Sequence, residues 1–194
     1  MSSIFIPTNF FHYLTSREIF DEDCTFEVDL GCGDGSFFLQ MAEHYPDRKF
    51  LAIERLLGRV RKVQKKADRQ GLSNAKVFRV ESAYAVEWLL PTQSVSRLHL
   101  LCPDPWPKAK HHRRRLVQKS FLDALHRVLM EKGEFFFKTD HEEYYEWVIE
   151  HVTAHPGFRQ LPWEESDFYY PKTDFQLQWE GEGKTILRAR FVKR

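Results

Sequence analysis

The chain has 194 residues, of which 42% are hydrophobic and 15% aromatic, a size and composition that predict one globular domain with a sizeable core. No run of about 18 apolar residues occurs, and the N-terminal residues lack the basic and apolar regions of a secretory signal, so neither a membrane-spanning segment nor an export signal is expected. The net charge is only +1, so any case for nucleic-acid binding has to rest on local clusters of charge.

In chain order, the first half of the sequence alternates short apolar runs with longer segments of helical period. The short runs lack a helical period, which is typical of buried strands. The longer segments carry apolar residues on one face and end at proline or glycine, which is typical of amphipathic helices. These patterns predict strands at 26–30, 50–53, 76–80 and 95–101 and helices at 36–45, 56–70 and 83–90.

The second half continues this alternation and then departs from it. We predict a long helix at 115–131, a strand at 134–138, and a further helix that opens with a capping box formed by Asp140 and Glu143. Beyond that helix the rhythm breaks. Two closing strands are predicted at 158–161 and 185–192, with a polar, aromatic loop at 162–183 between them.

The repeated pairing of strand and helix predicts an α/β fold with a doubly wound, mostly parallel seven-stranded sheet and an antiparallel C-terminal strand. We assign residues 25–194 to this domain and residues 1–24 to an N-terminal segment of unknown role. In such a sheet, ligands bind at the carboxyl ends of the strands, so the residues that follow each strand are the candidates for a site.

The first of these candidates is the glycine-rich stretch Glu27-Val-Asp-Leu-Gly-Cys-Gly-Asp-Gly-Ser, which joins the first predicted strand to the first helix. Gly31, Gly33 and Gly35 place no Cβ atom in the way of a ligand that approaches the backbone. The dinucleotide fingerprint requires its third glycine one residue later, at Ser36, which disfavours a pyrophosphate ligand. By itself the stretch predicts either a ligand-binding loop or a plain turn between strand and helix.

Two polar residues follow the next two strands. Glu54 lies 19 residues after Gly35, and its carboxylate is suited to accept hydrogen bonds from both hydroxyls of a ribose. The alternative for Glu54 is an acidic residue favoured at a helix N-terminus. Ser82 is predicted either to contact an adenine edge or to cap the helix that it opens.

The stretch after the fourth strand combines prolines with a run of cations. The prolines at 103, 105 and 107 predict a stiff, extended loop that presents Asp104 and Trp106. Cations at a helix N-terminus are disfavoured by the macrodipole, so phosphate is the expected counter-charge, and a solvated helix face is the alternative. A second basic cluster lies on the predicted helix 56–70, which favours a polyanionic substrate. The basic run after the fourth strand contains Lys108, Lys110, His111, His112, Arg113, Arg114 and Arg115.

These motifs resemble those of known families. The glycine stretch resembles the first motif of the Rossmann-like class I S-adenosylmethionine-dependent methyltransferases. The sequence Pro103-Asp-Pro-Trp-Pro-Lys with its His and Arg cluster, Thr139-Asp, and Pro171-Lys-Thr-Asp-Phe-Gln resemble the bacterial tRNA (guanine-N7-)-methyltransferase family over about residues 25–194. The resemblance implies methyl transfer from S-adenosylmethionine to N7 of a guanine in tRNA, at guanine 46 of the variable loop.

The resemblance, together with the basic run, implies a set of site residues. Asp104 matches the position of the catalytic residue. The cofactor is expected to contact Asp29, Gly31, Gly33, Gly35, Glu54, Ser82, Ala83 and Asp104. The tRNA is expected to contact Lys108, Lys110, Arg113, Arg114, Arg115, Asp140, Thr173, Asp174, Phe175 and Gln176. The chain departs from the family pattern at three positions, because Asp29 replaces Glu, Ser82 replaces Asp or Asn, and Gln176 replaces Glu.

Guanine N7 carries a free lone pair, so its methylation mainly requires proximity, and neither a metal nor a covalent nucleophile is expected. The expected partner is tRNA and not a membrane, with the protein as a monomer or homodimer. Cys24, Cys32 and Cys102 lack metal-ligand spacing and fit a reducing cytoplasm. Two alternatives stay open: a methyltransferase for an exocyclic amine or another RNA base, and a catalytically silent nucleic-acid-binding module.

Overall fold

The computed structural model describes residues 3–164 and 166–194. Within these residues eight strands form a single sheet. In chain order they are β1 (Ile4–Phe5), β2 (Phe26–Leu30), β3 (Lys49–Glu54), β4 (Ala75–Arg79), β5 (Val95–Leu101), β6 (Leu129–Thr139), β7 (Phe158–Leu161) and β8 (Leu187–Lys193). Their spatial order is β1-β4-β3-β2-β5-β6-β8-β7.

Helices connect most of these strands. They are α1 (Ser16–Phe20), α2 (Ser36–His44), α3 (Leu57–Gln70), α4 (Ser82–Tyr84), α5 (Lys119–Val128), α6 (Glu142–Ala154) and α7 (Asp174–Gly181). The short α4 continues as a π-helix over Ala85–Leu89, and a 3-10 helix spans Ala109–Arg114. No helix in the described ranges is long and apolar enough to cross a membrane.

The sheet is parallel except for β8, which runs antiparallel to both β6 and β7. The strand β2 pairs with β3 on one side and with β5 on the other, so the order of winding reverses between β2 and β5. The predicted doubly wound, mostly parallel α/β architecture with an antiparallel C-terminal strand is confirmed. The sheet has one strand more than the seven predicted, because Ile4 and Phe5 pair in parallel with Val77 and Phe78.

The N-terminal residues from Ser3 onward are part of the same packed structure. The Val77 N–H donates to the Ser3 carbonyl at 2.7 Å, and the Ser3 N–H donates to Asp68 Oδ1 at 2.9 Å. Leu14 and Ile19 are each only 2% exposed and belong to the core beneath the sheet. These contacts attach the segment to β4 and to the core.

The core lies on both faces of the sheet, as the alternation of side chains along a strand requires. Leu51 and Ile53 of β3 belong to a large cluster that includes residues of α5 and α6. Phe50 and Ala52 of the same strand belong to a smaller cluster with α2 and α3. The loop at the carboxyl end of β2 is therefore held between two packed layers.

The helix predicted at 115–131 is wrong at both ends. The chain is extended at Arg115, α5 begins only at Lys119, and β6 begins at Leu129 directly after it. Val117 fits the apolar helical spacing and is buried, but it precedes the helix. The side chain of Arg115 hydrogen-bonds to the Pro105 carbonyl, which holds this part of the backbone in an extended path.

Two further expectations need correction. His141, not Asp140, is the N-cap of α6, since His141 Nδ1 accepts a hydrogen bond from the Tyr144 N–H at 3.3 Å. The Asp140 carboxylate instead contacts the Lys184 ammonium. The region 162–183 is not entirely loop, because it contains α7, whose N-cap is Thr173.

Candidate cofactor and substrate cleft

A cleft of about 830 Å³ opens at the carboxyl ends of β2, β3 and β5, where the order of the strands reverses. This is the place at which doubly wound sheets bind their ligands. The cleft brings together most of the residues predicted from the sequence. Those that line it are Asp29, Gly31, Gly33, Glu54, Ser82, Asp104, Arg114, Asp140, Thr173, Asp174 and Phe175.

The three glycines of the β2–α2 loop divide into two roles. Gly31 and Gly33 line the cleft, and a Cβ built on Gly33 would meet only the Phe175 ring, at 4.0 Å. Gly35 is outside the cleft lining, and a Cβ there would lie 2.7 Å from Val63 Cγ2. The first two glycines leave room for a ligand, whereas Gly35 allows α2 and α3 to pack closely.

Two carboxylates lie buried at the base of the cleft, on neighbouring strands. Asp29 and Glu54 are almost fully buried. Burial, with the nearby charge of Glu54, raises the pKa of Asp29 to about 7. Glu54 Oε1 accepts a hydrogen bond from the Leu56 N–H at 2.8 Å, and Arg59 Nη1 lies 3.7 Å from Glu54 Oε2. A ligand that offers hydrogen-bond donors or positive charge would relieve the repulsion between these groups.

The turn after β4 shows which of the two predicted roles of Ser82 is open to it. Glu81 is the N-cap, and its carboxylate accepts from the Ala83 N–H at 3.0 Å and from the Tyr84 N–H at 2.8 Å. Ser82 is therefore not the cap, and it lines the cleft. Ala83 does not line the cleft, and its N–H is occupied by Glu81.

The proline-rich loop after β5 presents Asp104 to the cleft. Cys102 and Trp106 have positive φ angles of 50° and 46°, which is uncommon outside glycine and fixes a sharp local path for the chain. Within residues 3–164 and 166–194, the Asp104 carboxylate has no hydrogen bond or ion pair, and it is exposed. Asp104 therefore does not cap the following turn, and its charge is available to a ligand.

The basic run lies on the 3-10 helix beside this loop. Lys108, Lys110, Arg113 and Arg114 are exposed, and the Arg114 guanidinium lies 4.9 Å from the centre of the Trp106 ring at the edge of the cleft. These cations precede or lie along a 3-10 helix and not at the N-terminus of α5. The prediction that these cations stand at the N-terminus of a long helix is thus wrong. The four cations are nevertheless exposed.

Arg115 differs from its neighbours in the run. It is only 1% exposed, and its Nε donates to the Pro105 carbonyl at 2.9 Å. Its Nη2 donates to Glu143 Oε1 at 3.1 Å. The expectation that Arg115 meets tRNA phosphate is corrected, because its guanidinium is enclosed by the protein.

The helix α7 closes one side of the cleft. Thr173 Oγ1 accepts from the Gln176 N–H at 3.0 Å, and the Asp174 N–H donates to Ser36 Oγ at 3.3 Å. Gln176 is only 2% exposed and does not line the cleft. Its amide accepts from Lys138 Nζ at 3.0 Å and donates to Glu180 Oε1 at 2.8 Å. We therefore remove Gln176 from the expected guanine contacts.

Lys184 and Trp179 are among the cleft residues that the sequence did not indicate. Lys184 Nζ lies 3.2 Å from Asp140 Oδ2 and 3.4 Å from the centre of the Trp179 ring. Lys184 and Trp179 both line the cleft. No sequence pattern distinguishes them from ordinary loop residues, but the spacing of Thr173 and Gln176 fits a capping box and would have indicated the helix that carries Trp179.

Comparison with known proteins agrees with this geometry. The family model described as "Putative methyltransferase" matches residues 24–189. The tRNA (guanine-N(7)-)-methyltransferase of Nitrosococcus oceani is 32% identical over 180 residues, which cover 93% of the chain and 76% of that protein. The enzyme of the same name from Syntrophotalea carbinolica is 33% identical over 162 residues, covering 82% of the chain and 70% of that protein. The chain belongs to the tRNA (guanine-N(7)-)-methyltransferase family.

Solved structures support the fold of this family member. The 16S rRNA methyltransferase KamB has a TM-score of 0.67 at 16% identity, over 94% of each chain. The aminoglycoside resistance methyltransferase NpmB1 has a TM-score of 0.63 at 19% identity, over 94% of the chain and 95% of that protein. At these identities the likeness concerns the fold alone, which is that of the class I methyltransferases.

The chain is an S-adenosylmethionine-dependent methyltransferase. The cleft fits this cofactor on chemical grounds. Buried carboxylates at Asp29 and Glu54 are acceptors for an ammonium group and for ribose hydroxyls, both of which the cofactor carries. Gly31 and Gly33 leave the backbone beside them open.

Proposed function

We propose that the chain methylates N7 of a guanine in tRNA to form 7-methylguanosine, at guanine 46 of the variable loop. The observation that carries the proposal is the position of Asp104. Its carboxylate, which has no partner among the described residues, shares one cleft with Asp29 and Glu54 and lies next to an exposed basic helix. The names of the relatives in the family support N7 of a guanine in tRNA as the target.

The proposed reaction depends little on general acid–base catalysis. When bound, S-adenosylmethionine would supply an electrophilic methyl group on a sulfonium. Guanine N7 carries a lone pair and no proton, so the N7–methyl bond would form as the methyl–sulfur bond breaks, and the sulfur would keep that electron pair and leave as a neutral thioether. The enzyme contributes by bringing the two into line and by placing negative charge near a purine that becomes cationic. We assign the second role to Asp104, which is exposed in the cleft and has no side-chain partner within residues 3–164 and 166–194.

Separate parts of the cleft are proposed to hold the cofactor. Glu54 accepts hydrogen bonds from the ribose hydroxyls, and Asp29 accepts the α-ammonium group. Gly31 and Gly33 allow the cofactor to approach the backbone, and Ser82 contacts the adenine.

The tRNA is proposed to contact other residues of the same cleft and the basic helix beside it. Asp140 and the segment 173–175 are suited to the guanine, because they line the cleft beside Asp104. The phosphates are assigned to the exposed cations of the 3-10 helix and its flank. These cations are Lys108, Lys110, Arg113 and Arg114.

We further propose that the protein acts in the cytoplasm as a monomer or homodimer and without a metal. The tRNA substrate and the three free cysteines favour that compartment. Residues 25–194 are proposed as the methyltransferase domain, preceded by residues 1–24.

The test is to incubate unmodified tRNA with the protein and S-adenosylmethionine and to identify the methylated nucleoside by chromatography and mass analysis. We expect 7-methylguanosine, formed more slowly by roughly 10²-fold or more with Asp104→Asn under the same conditions. A methyl group on an exocyclic amine would contradict the proposed reaction. Binding of tRNA without any methylation would indicate the nucleic-acid-binding module instead.

A further inference from the structure

A buried guanidinium lies directly beneath the loop that carries Asp104. The Arg115 Nε donates to the carbonyl of Pro105, which is the residue between Asp104 and Trp106. This hydrogen bond of 2.9 Å is a side-chain contact to the proline-rich loop from a residue that is itself only 1% exposed. The loop is therefore attached from below at its centre.

The other end of the same guanidinium is fixed to α6. Its Nη2 donates to Glu143 Oε1 at 3.1 Å, and its Cζ lies 5.2 Å and 5.1 Å from the ring centres of Tyr144 and Trp147. An arginine fork of this kind holds two partners in a fixed relative geometry, which a lysine ammonium does not reproduce. The loop and α6 are thus joined by one rigid, planar group.

The strained loop needs such an attachment. Cys102 and Trp106 both have positive φ angles, at 50° and 46°, and such backbone conformations persist only where the surrounding structure enforces them. Asp104 lies between these two residues and has no side-chain partner in the described part of the chain. Its position is consequently set by its backbone, and the Pro105 carbonyl is where that backbone is held.

We infer that Arg115 is a positioning residue for methyl transfer, which holds Asp104 in place through the Pro105 carbonyl and α6. The inference rests on the proposed function of Asp104. It removes Arg115 from the cations that meet RNA, and it gives the basic run two different tasks. The exposed cations bind the polyanion. Arg115, the last cation of the run, is buried and holds the proline-rich loop that carries Asp104.

The test uses Arg115→Lys, which keeps the charge, and Arg115→Met, which removes it. Arg127→Lys is the matched control, because the Arg127 guanidinium also donates to two carbonyls, those of Val86 and Leu90, and lies 4.1 Å from the Tyr13 ring, away from the cleft. The measurements are single-turnover methyl transfer to tRNA, backbone hydrogen exchange at Cys102, and the affinities for cofactor and tRNA. The Cys102 N–H donates to the Lys138 carbonyl at 2.8 Å, so its exchange reports on the base of the loop.

For both Arg115 variants we expect transfer slower by roughly 10²-fold, the scale for a misplaced reacting group, with affinities changed less than about threefold. Exchange at Cys102 should rise. Arg127→Lys should lower the melting temperature without either effect. If Arg115→Met does not fold, the result is taken from Arg115→Lys alone.

Unchanged exchange and an unchanged transfer rate in folded Arg115→Lys would overturn the inference. A weaker salt dependence of tRNA binding with unchanged exchange would also overturn it and return Arg115 to the phosphate contacts. If the wild type methylates no tRNA, the proposed function fails, while exchange at Cys102 still reports whether Arg115 holds the loop.

Discussion

Asp29 and Glu54 lie at the carboxyl ends of adjacent parallel strands, and burial together with the charge of Glu54 raises the pKa of Asp29 to about 7. Without a cationic or hydrogen-bond-donating ligand, the ionised pair is unfavourable in the folded protein. This pair of carboxylates therefore lowers the free energy of unfolding of the protein without cofactor.

The first prediction concerns this stability without cofactor. The folded pKa of Asp29 lies above the ordinary aspartate value of 3.8, so the folded state retains a proton that the unfolded state has released. Stability should fall as pH rises from about 4 to 7 and stay low above that range. Asp29→Asn should thus gain roughly 2–3 kcal/mol relative to wild type between pH 5 and pH 8, at about 1.4 kcal/mol per pKa unit.

Urea unfolding at both pH values measures this difference. The exposed Asp47 provides the control, and Asp47→Asn should follow the wild-type pH dependence. An equal effect of Asp29→Asn at pH 5 and pH 8 would refute the raised pKa.

The second prediction separates two glycines of the same loop. Gly33→Val should abolish cofactor binding, because a β-branched residue at a φ of 58° is strained and its side chain enters the cleft. Gly35→Ala should instead destabilise the fold by roughly 1–3 kcal/mol, because its Cβ would lie 2.7 Å from Val63 Cγ2. Calorimetry with S-adenosylmethionine and urea unfolding distinguish the two outcomes. Unaltered cofactor affinity in Gly33→Val would place the cofactor elsewhere.

The third prediction concerns the exposed cations. Replacement of Lys110, Arg113 and Arg114 by Ala should weaken tRNA binding and reduce the slope of log affinity against log salt by roughly 2–3, about 0.7–0.9 for each phosphate that is no longer neutralised. Cofactor affinity should not change. Filter binding at several salt concentrations gives the slope.

A charge-matched control is available on another part of the surface. Lys132, Arg159 and Arg194 are exposed and do not line the cleft, so their replacement by Ala should leave the slope as in wild type. Equal slopes for the two triple variants would mean that the basic run is only a solvated surface.

The fourth prediction concerns Asp104. Asp104→Asn should slow single-turnover methyl transfer by roughly 10²-fold or more, the scale for removing one preorganised electrostatic group. Because the carboxylate has no partner among the described residues, the melting temperature and cofactor affinity should change little. Asp104→Ala should be about as slow and as stable as Asp104→Asn. Near wild-type transfer by Asp104→Asn would show that the charge of Asp104 is not needed for methyl transfer.

Much of the fold could be predicted because its strands are buried and its helices are amphipathic. The run 50–53 is apolar throughout and lies within β3, whose two faces are covered by the two core clusters. The two-residue β1 could not be predicted, since a pair such as Ile4 and Phe5 has no measurable period.

A cleft residue could be predicted when it directly follows a predicted strand, as Glu54 does. It was not predictable where long-range packing decides which way a side chain lies. Arg115 and Arg114 are adjacent and identical in type, yet one is enclosed and the other is exposed. Gln176 is buried by contacts with Lys138 and Glu180, and only the first of these comes from another element.

The insertion of β8 between β6 and β7 has a consequence for synthesis of the chain on the ribosome. Until β8 has emerged and paired, β6 is an open edge that carries three consecutive phenylalanines, Phe135 to Phe137, and such an edge invites pairing with other nascent chains. The charges of Glu134 and Lys138 flank that run and oppose aggregation. Because α7 immediately precedes β8, the proposed guanine-binding segment is secured to the sheet by the same late event that closes this edge. Solubility during translation and competence to modify tRNA are thus acquired together.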